Sequence, residues 1–307
     1  MHIQSILAIT DLSARGHRTV CRAASIAAEH GALLKLMYAP ASFATRATGA
    51  TEIAAHATRH LAGLAIEMAE GFGILIKRVD NVSGRLEAVA EESRWSDLLV
   101  VGDDRDTCAL AFFRGQPVER LLRAVRKPVL VARLDAATRY RRILVAVDLT
   151  DASRHLVELA WAFDGNAEVE LFHALNTLHE GKMRYADVSD YAIKSLRHAC
   201  ARHARERMLS LSDSSTARRN RVLSAIGHGD PARQATVQQQ HSNAELLVVG
   251  KHGRSAIVDF VFGSVSQRVL RWSASDVLVV PRVSAVASPV KAEPVPHGAP
   301  APALKQQ

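Results

Sequence analysis

The chain has 307 residues, 48% of them hydrophobic and 23% charged, which is an ordinary globular composition with enough length for two domains. Its net charge of +8 suits an anionic partner, but Lys and Arg are scattered and aromatic residues make up only 5%, which argues against a specific nucleic-acid surface. No apolar run has the length of a membrane span, and the N-terminal residues do not resemble a signal peptide. We therefore expect neither a specific nucleic-acid partner nor a membrane partner.

Cysteine and histidine usage gives no sign of a disulfide framework or a metal site. The three cysteines, Cys21, Cys108 and Cys200, are widely spaced and form no C-x-x-C motif, so a reducing, cytoplasmic location is expected. His198 and His203 lie on a predicted helix, but a spacing of five does not place them on one face as a spacing of four would. The sequence therefore predicts no metal ligands.

The first half alternates short apolar strands with amphipathic helices. We predict strands at Ser5–Asp11, Leu33–Tyr38, Ile74–Val79, Leu98–Val101 and Val129–Ala132. We predict helices from a cap at Ser13 to about His30, from about Thr51 to Glu70, and over Leu86–Ser93 and Val118–Val125. This alternation predicts a parallel sheet covered by helices on both faces.

The second half repeats this order. Ile143–Asp148 resembles Ile6–Asp11, and Glu245–Gly250 resembles Asp97–Gly102. The other predicted strands are Val169–His173, Val222–Ile226, Leu246–Val249 and Val277–Val280. The predicted helices run from a cap at Ser153 to Phe163, from about Ser189 to Leu211, from Pro231 onward, and from Ser264 to about Trp272.

The predicted fold class is therefore α/β, with two tandem doubly wound domains, each a mostly parallel five-stranded sheet with helices on both faces. We expect one domain at residues 1–134 and a second at 142–283, joined by the short charged linker Leu134–Arg142. The Ala/Pro-rich residues 284–307 are expected to be a disordered tail. Glu245 and Asp276, which flank predicted strands, are interpreted as solvated acids.

The most informative stretch follows the strand Leu246–Val249 and has the pattern G-x2-G-x9-G-S. The pattern consists of Gly250, Gly253, Gly263 and Ser264. Glycines after a strand let backbone N–H groups approach a ligand, and a helix capped by Ser264 would attract an anion. Lys251 and Arg254 add positive charge. The stretch thus predicts a site for the ribose and phosphates of a nucleotide, the alternative being that the glycines only form turns and Ser264 only caps a helix.

This stretch resembles the nucleotide-binding motif of the universal stress protein family, in its ATP-binding branch, and both halves are similar to the family's domain. It is neither a Walker A loop nor a Rossmann fingerprint. The resemblance implies a site for ATP or ADP in the second half, and leaves open whether magnesium accompanies the nucleotide. The residues that the resemblance assigns to the site are Ala146, Val147, Asp148, Ala174, Gly250, His252, Gly253, Arg254, Gly263, Ser264, Val265 and Ser266. In the family, the acid matching Asp148 lies near adenine and ribose.

The first half departs from the motif. Arg105 replaces the second glycine and Gln116 replaces the serine, while Asp103 and Asp104 add negative charge where a triphosphate would lie. We therefore expect nucleotide in the second half only. That Arg105 itself grips a phosphate stays open as an alternative.

The resemblance implies a regulatory or signalling module of the stress response, in which the ligand biases dimerisation or partner binding. The apolar edge strands Val129–Ala132 and Val277–Val280 favour a pseudo-dimer of the two halves, and a homodimer is left open. One alternative is a slow ATPase or a self-phosphorylating protein that uses Ser264 or Ser266. Another is a structural dimer or carrier of an apolar ligand without nucleotide. No catalytic residue is assigned, because the sequence offers no clear group to position a water for phosphoryl transfer.

Overall fold

The computed structural model describes residues 2–39, 50–80, 86–102, 122, 124–134, 139–175, 183–212, 222–251 and 264–281. The strands within these residues are β1 (Ser5–Thr10), β2 (Leu33–Tyr38), β3 (Ile76–Val79), β4 (Leu98–Gly102), β5 (Val129–Ala132), β6 (Arg142–Ala146), β7 (Glu168–Leu175), β8 (Val222–His228), β9 (Leu246–Lys251) and β10 (Asp276–Pro281). The helices are α1 (Ala14–His30), α2 (Ala50–Phe72), α3 (Leu86–Ser93), α4 (Ala152–Phe163), α5 (Asp190–Ser212), α6 (Pro231–Ser242) and α7 (Ser264–Trp272). Among the described residues, no helix is long and apolar enough to cross a bilayer.

All these strands belong to one sheet with the order β3-β2-β1-β4-β5-β10-β9-β6-β7-β8. Strands within each half are parallel, and the halves join where β5 and β10 pair antiparallel, with Leu130 opposite Leu278. The strand order of β1–β5 is repeated by β6–β10, so the halves are related by a pseudo-two-fold axis near this pair. The predicted packing of the halves through their fifth strands is confirmed.

Helices cover both faces of the sheet, as the apolar strand runs predicted. One buried layer lies under α1, α2, α4 and α5 and includes Ile6 from the first half and Leu171 from the second. The opposite layer lies under α3, α6 and α7 and includes Leu7 and Leu144. Neighbouring residues of one strand, such as Ile6 and Leu7, thus point to opposite layers, which is the geometry of a doubly wound sheet.

Two predicted helix starts are confirmed and one is wrong. Ser13 caps α1, its Oγ accepting from Gly16 N–H at 3.1 Å, and Pro231 is the first residue of α6. Ser153 does not cap α4, which begins at Ala152. Ser153 is buried in the first turn instead, where its Oγ donates to Asp148 at 2.8 Å.

The prediction that Asp276 is solvated is also wrong, because this carboxylate is completely buried. Oδ1 accepts from the backbone N–H groups of Arg133 and Leu134 at 2.6 and 2.8 Å. Oδ2 accepts from the Tyr140 hydroxyl at 2.6 Å and lies 3.1 Å from Arg22 Nε. Residues of the first half and of the joining segment therefore close over the start of β10. Glu245, predicted solvated as well, is half-buried and accepts from the N–H of Arg141.

The segment predicted as a linker is thus anchored at both described ends. Tyr140 is 4% exposed, and the Arg22 guanidinium lies 4.7 Å above its ring. Burial and then the Asp276 carboxylate raise the pKa of Tyr140 well above its ordinary value, so its hydroxyl remains a donor. Arg133 donates to the carbonyls of Ser273 and Leu270.

Candidate functional site

The sheet of the second half has a topological switch point between β6 and β9. The chain runs outward from β6 to β7 and β8 on one side, then returns to β9 and β10 on the other. Ala146 at the end of β6 is opposite Phe172 of β7 and Val249 of β9, so the carboxyl ends of these three strands meet at one edge. Open α/β sheets bind ligands in the crevice at such a point.

Asp148 stands at this edge with a fixed orientation. Its Oδ1 accepts from the N–H of Thr150 at 3.1 Å, from Thr150 Oγ1 at 2.7 Å and from Ser153 Oγ at 2.8 Å. Leu149 takes the left-handed conformation with φ of 64°, which makes the turn tight. The carboxylate therefore remains exposed at the strand end while the turn and α4 hold it in place.

The first half has the same turn. Asp11 Oδ1 accepts from the N–H and hydroxyl of Ser13 at 3.0 and 2.6 Å, and Leu12 has φ of 63°. The strand-end acid is therefore a property of the fold in both halves. What distinguishes the halves is the glycine pattern, not this turn.

Three of the predicted site residues, two at the base end and one at the helix start, pack on the same face of the sheet. Ala146, Ala174 and Val265 are partly buried and pack against the layer under α6 and α7. Val147 is different, because its side chain packs in the opposite layer. The backbone of Val147 is held in place instead, its carbonyl accepting from His173 Nδ1 at 2.8 Å.

The start of α7 is fixed beside the end of β9. Ser266 is 3% exposed and its Oγ donates to the carbonyl of Gly250 at 2.8 Å. The helix begins at Ser264, so the residue predicted to be its cap is its first helical residue. The N–H groups of this first helical turn have no partner within their own helix and carry the positive end of its dipole. The bond from Ser266 places this end at the same edge as Asp148.

A second contact, which sequence reasoning missed, orients α7 against α6. Arg268 Nη1 lies 2.6 Å from Asp230 Oδ2, and Asp230 also caps α6 by accepting from Arg233 N–H at 3.0 Å. Burial raises the pKa of Asp230, but these hydrogen bonds outweigh it and the pKa is lowered. The sequence Asp230-Pro231 is typical of a helix start, so the cap had a local signal. No local pattern indicates that Asp230 pairs with Arg268.

The side chain of Lys251 points toward the first half and not toward the predicted phosphate site. Its Nζ donates to the carbonyl of Leu122 in the first half, so its charge is directed across the junction of the halves. Four other predicted residues lie outside the described parts of the chain. They are His252, Gly253, Arg254 and Gly263. The departures predicted in the first half, from Asp103 to Gln116, lie outside as well.

Residues 139–281, which span the second half from before β6 to the end of β10, match the Universal stress protein family. Residues 139–281 therefore contain a universal stress protein domain. The universal stress protein YxiE of Bacillus subtilis (strain 168) is 22% identical over 150 residues, which are 46% of this chain and 99% of that protein.

The universal stress protein fold extends over both halves. The crystal structure of a universal stress protein from Archaeoglobus fulgidus DSM 4304 is similar over 91% of this chain and 96% of that one, with 16% identity and a TM-score of 0.65. The crystal structure of a functionally unknown protein from Pseudomonas aeruginosa PAO1 is similar over 91% of this chain and 93% of that one, with 20% identity and a TM-score of 0.60. The predicted family and fold class are confirmed.

Proposed function

We propose that this universal stress protein binds ATP or ADP in its second half and uses the occupancy of that site as a regulatory signal in a stress response. One observation carries the proposal. Asp148 and Gly250 lie on either side of the switch point, and Ser266 holds the first turn of α7 beside Gly250. A fixed carboxylate and a helix N-terminus at one edge suit the two ends of a nucleotide.

The nucleoside end is assigned to the β6 and β7 side of the edge. The Asp148 carboxylate is an acceptor for a ribose hydroxyl or an exocyclic amine. Ala146, Ala174 and Val265 supply small apolar surfaces on one face, where a flat base can pack. The backbone of Val147 lines the same strand end.

The phosphate end is assigned to the β9 and α7 side. The first-turn N–H groups of α7 favour negative charge, and the sequence adds glycines at positions 253 and 263 with Arg254 between them. His252 belongs to the same loop in the sequence. Because Lys251 is bonded to Leu122, we assign the phosphate charge to Arg254 and the backbone rather than to Lys251.

We propose domain boundaries at residues 1–134 and 142–283, with a nucleotide in the second domain only. The antiparallel pairing of β5 with β10 supports the reading of the two halves as an intramolecular pseudo-dimer. Ligand in the second half would act through this junction, because Lys251 connects the end of β9 to the first half. A homodimer of whole chains is a separate proposal, tested by mass with and without ligand.

Calorimetric titration of the tag-free full chain with ATP and ADP tests the site. We expect one nucleotide per chain, and no binding after Gly253→Arg, which copies the first half. The matched control is Gly71→Arg, because Gly71 is an exposed helical glycine of the first half where an added Cβ meets nothing within 4 Å. This control should bind as wild type does.

Three outcomes contradict the proposal in different ways. Two equal sites per chain would show that the first half binds as well. Absence of binding, with no nucleotide released on denaturing the purified chain, would favour a structural dimer or a carrier of an apolar ligand. Normal binding by Gly253→Arg would show that the phosphates lie elsewhere.

The regulatory role has its own test. Unchanged sedimentation and unchanged hydrogen exchange across β5 and β10 on adding ATP would contradict signalling through the junction.

A further inference from the structure

A pair of histidines on α2 lies outside the proposed nucleotide site. His56 and His60 are four residues apart on the helix, so both project from one face. Their Nε2 atoms are 3.1 Å apart, and the ring centroids are 4.2 Å apart. Both side chains are exposed and line a groove of about 510 Å³ between α1 and α2. Sequence reasoning tested a spacing of five on α5 and missed this spacing of four.

The distance between the two nitrogens is that of a hydrogen bond between the rings, and it also fits two ligands of one metal ion. Two imidazoles bound at about 2.0–2.1 Å are separated by roughly 2.8–3.0 Å at right angles and by roughly 3.3–3.4 Å in a tetrahedron. The observed 3.1 Å lies between these values. We propose that His56 and His60 form a two-histidine chelate for a borderline transition-metal ion such as Zn²⁺, Ni²⁺ or Cu²⁺.

A third histidine in the same groove, His17, is already engaged. His17 Nε2 lies 2.9 Å from Glu67 Oε1, while His17 Nδ1 lies 3.5 Å from Cys21 Sγ. Burial and then the charge of Glu67 raise the pKa of Cys21, which keeps its sulfur protonated and a poor metal ligand. His56 and His60 are therefore the chelating pair, while His17 and Glu67 line the groove without binding the metal.

Within the described residues, no group of three or more His, Cys, Asp or Glu side chains is placed to hold a metal. The proposed site therefore supplies two ligands from the protein, and water or a small anion from the groove completes the coordination. Arg59 also lines the groove. Its positive charge favours an anion, and not a second cation, next to the bound metal. Mg²⁺ and Ca²⁺ are excluded, because they prefer oxygen ligands.

Competition with a chromogenic chelator tests the site on tag-free full-length protein titrated with Zn²⁺, Ni²⁺ and Cu²⁺. We expect the tightest binding for Cu²⁺, following the general order of divalent affinities. Loss of an outer-shell partner alone costs about 10–100-fold in metal affinity, so His56→Ala and His60→Ala should each weaken binding by at least about tenfold. The Cu²⁺ complex of the wild type should show electron paramagnetic resonance splitting from two imidazole nitrogens.

The matched control is His203→Ala on α5. This exposed histidine lines a different groove, of about 350 Å³, beside Cys200, and is the rival site. The His203→Ala variant should bind metal as wild type does. Equal affinity of wild type, His56→Ala and His60→Ala would overturn the proposal, and so would a loss confined to His203→Ala. Circular dichroism of each variant identifies a folding defect, and in that case His60→Gln, which keeps a polar side chain, replaces the alanine variant.

Discussion

The hydroxyl of Tyr140, in the segment between the halves, donates to the carboxylate of Asp276 in the last strand at 2.6 Å. Arg22 of α1 completes the group at 3.1 Å from the same carboxylate oxygen. A helix of the first half, the joining segment and the last strand of the second half thus meet at one buried charge. The stability of the whole chain should depend on this group.

Asp276→Ala should therefore lower the free energy of unfolding by about 3–5 kcal/mol, because it leaves the buried Arg22 guanidinium without its counter-charge. Urea unfolding followed by circular dichroism measures the change. The control is Asp151→Ala, which removes an exposed acid paired with Arg207 at 3.5 Å and should cost less than about 1 kcal/mol. Equal losses in the two variants would show that the Asp276 group contributes no more than a surface pair.

Tyr140→Phe should make stability less sensitive to alkaline pH. The raised pKa of Tyr140 means that the folded chain holds the neutral phenol. The corresponding stability is fully present below the ordinary tyrosine pKa of about 10 and is lost as pH rises from there toward the raised value. The stability difference between wild type and Tyr140→Phe should thus shrink as urea unfolding is repeated from pH 8 to 11. A constant difference would contradict the assignment.

His30 should make stability sensitive to mild acid. It is half-buried at the end of α1, and its Nε2 lies 3.0 Å from the carbonyl of Phe163 in the other half. Burial lowers the pKa of His30 below its ordinary value of 6.5, so its stability contribution is present above that pH and is lost as pH falls through the lowered pKa. The loss is at most about 1.4 kcal/mol per pH unit for one proton.

The comparison that isolates His30 uses thermal unfolding at pH 5 and pH 8. His30→Gln cannot gain a proton and should lose less stability on acidification than wild type does. His198→Gln, at an exposed position of α5, should behave as wild type. If both variants respond to acid as wild type does, His30 is not the group that titrates.

Hydrolysis of ATP should be slow, well below the roughly 1–100 s⁻¹ of dedicated kinases. Our proposal places Asp148 toward the nucleoside, and the buried hydroxyl of Ser266 is bonded to Gly250, so neither is positioned to orient a water. Asp259 is the remaining acid of the motif sequence. Turnover in the kinase range that disappears in Asp259→Ala, while nucleotide binding persists, would make the protein an enzyme and contradict the proposal that it acts by binding nucleotide.

Most strands were predictable because they contain a short apolar run; β3, with Lys77 and Arg78 at its centre, is an exception. β2 and β5 have the predicted bounds, and the others differ at their ends by a few residues. The misplaced helix start at Ser153 has a local cause: Thr150 makes the contacts with Asp148 that Ser13 makes with Asp11, so Ser153 already lies inside α4, where it faces Asp148. The left-handed conformation of Leu149 has no sequence signal, since that conformation favours glycine.

The long-range contacts were not predictable. Asp276 sits before an apolar run, as a solvated strand-flanking acid would, and nothing local shows that Tyr140 and Arg22 cover it. Lys251 follows a glycine in the motif, yet its ammonium group donates to the carbonyl of Leu122. Local patterns predicted Asp148, Gly250 and the start of α7, because each occurs at a strand or helix end. The direction of each side chain depends on tertiary packing.

The antiparallel pairing of β5 with β10 affects how the sequences of the two similar halves can come to differ. Because the strands of the halves run in opposite directions, the carboxyl ends of β1 and β4 and those of β6 and β9 lie on opposite edges of the sheet. Strands of five or six residues separate these edges by about 17–20 Å. The end of β4 at Gly102 and the end of β9 at Gly250 therefore lie at opposite edges. Selection acting on the proposed site at one edge would leave the other edge free to accumulate changes, while the shared core keeps both halves folded.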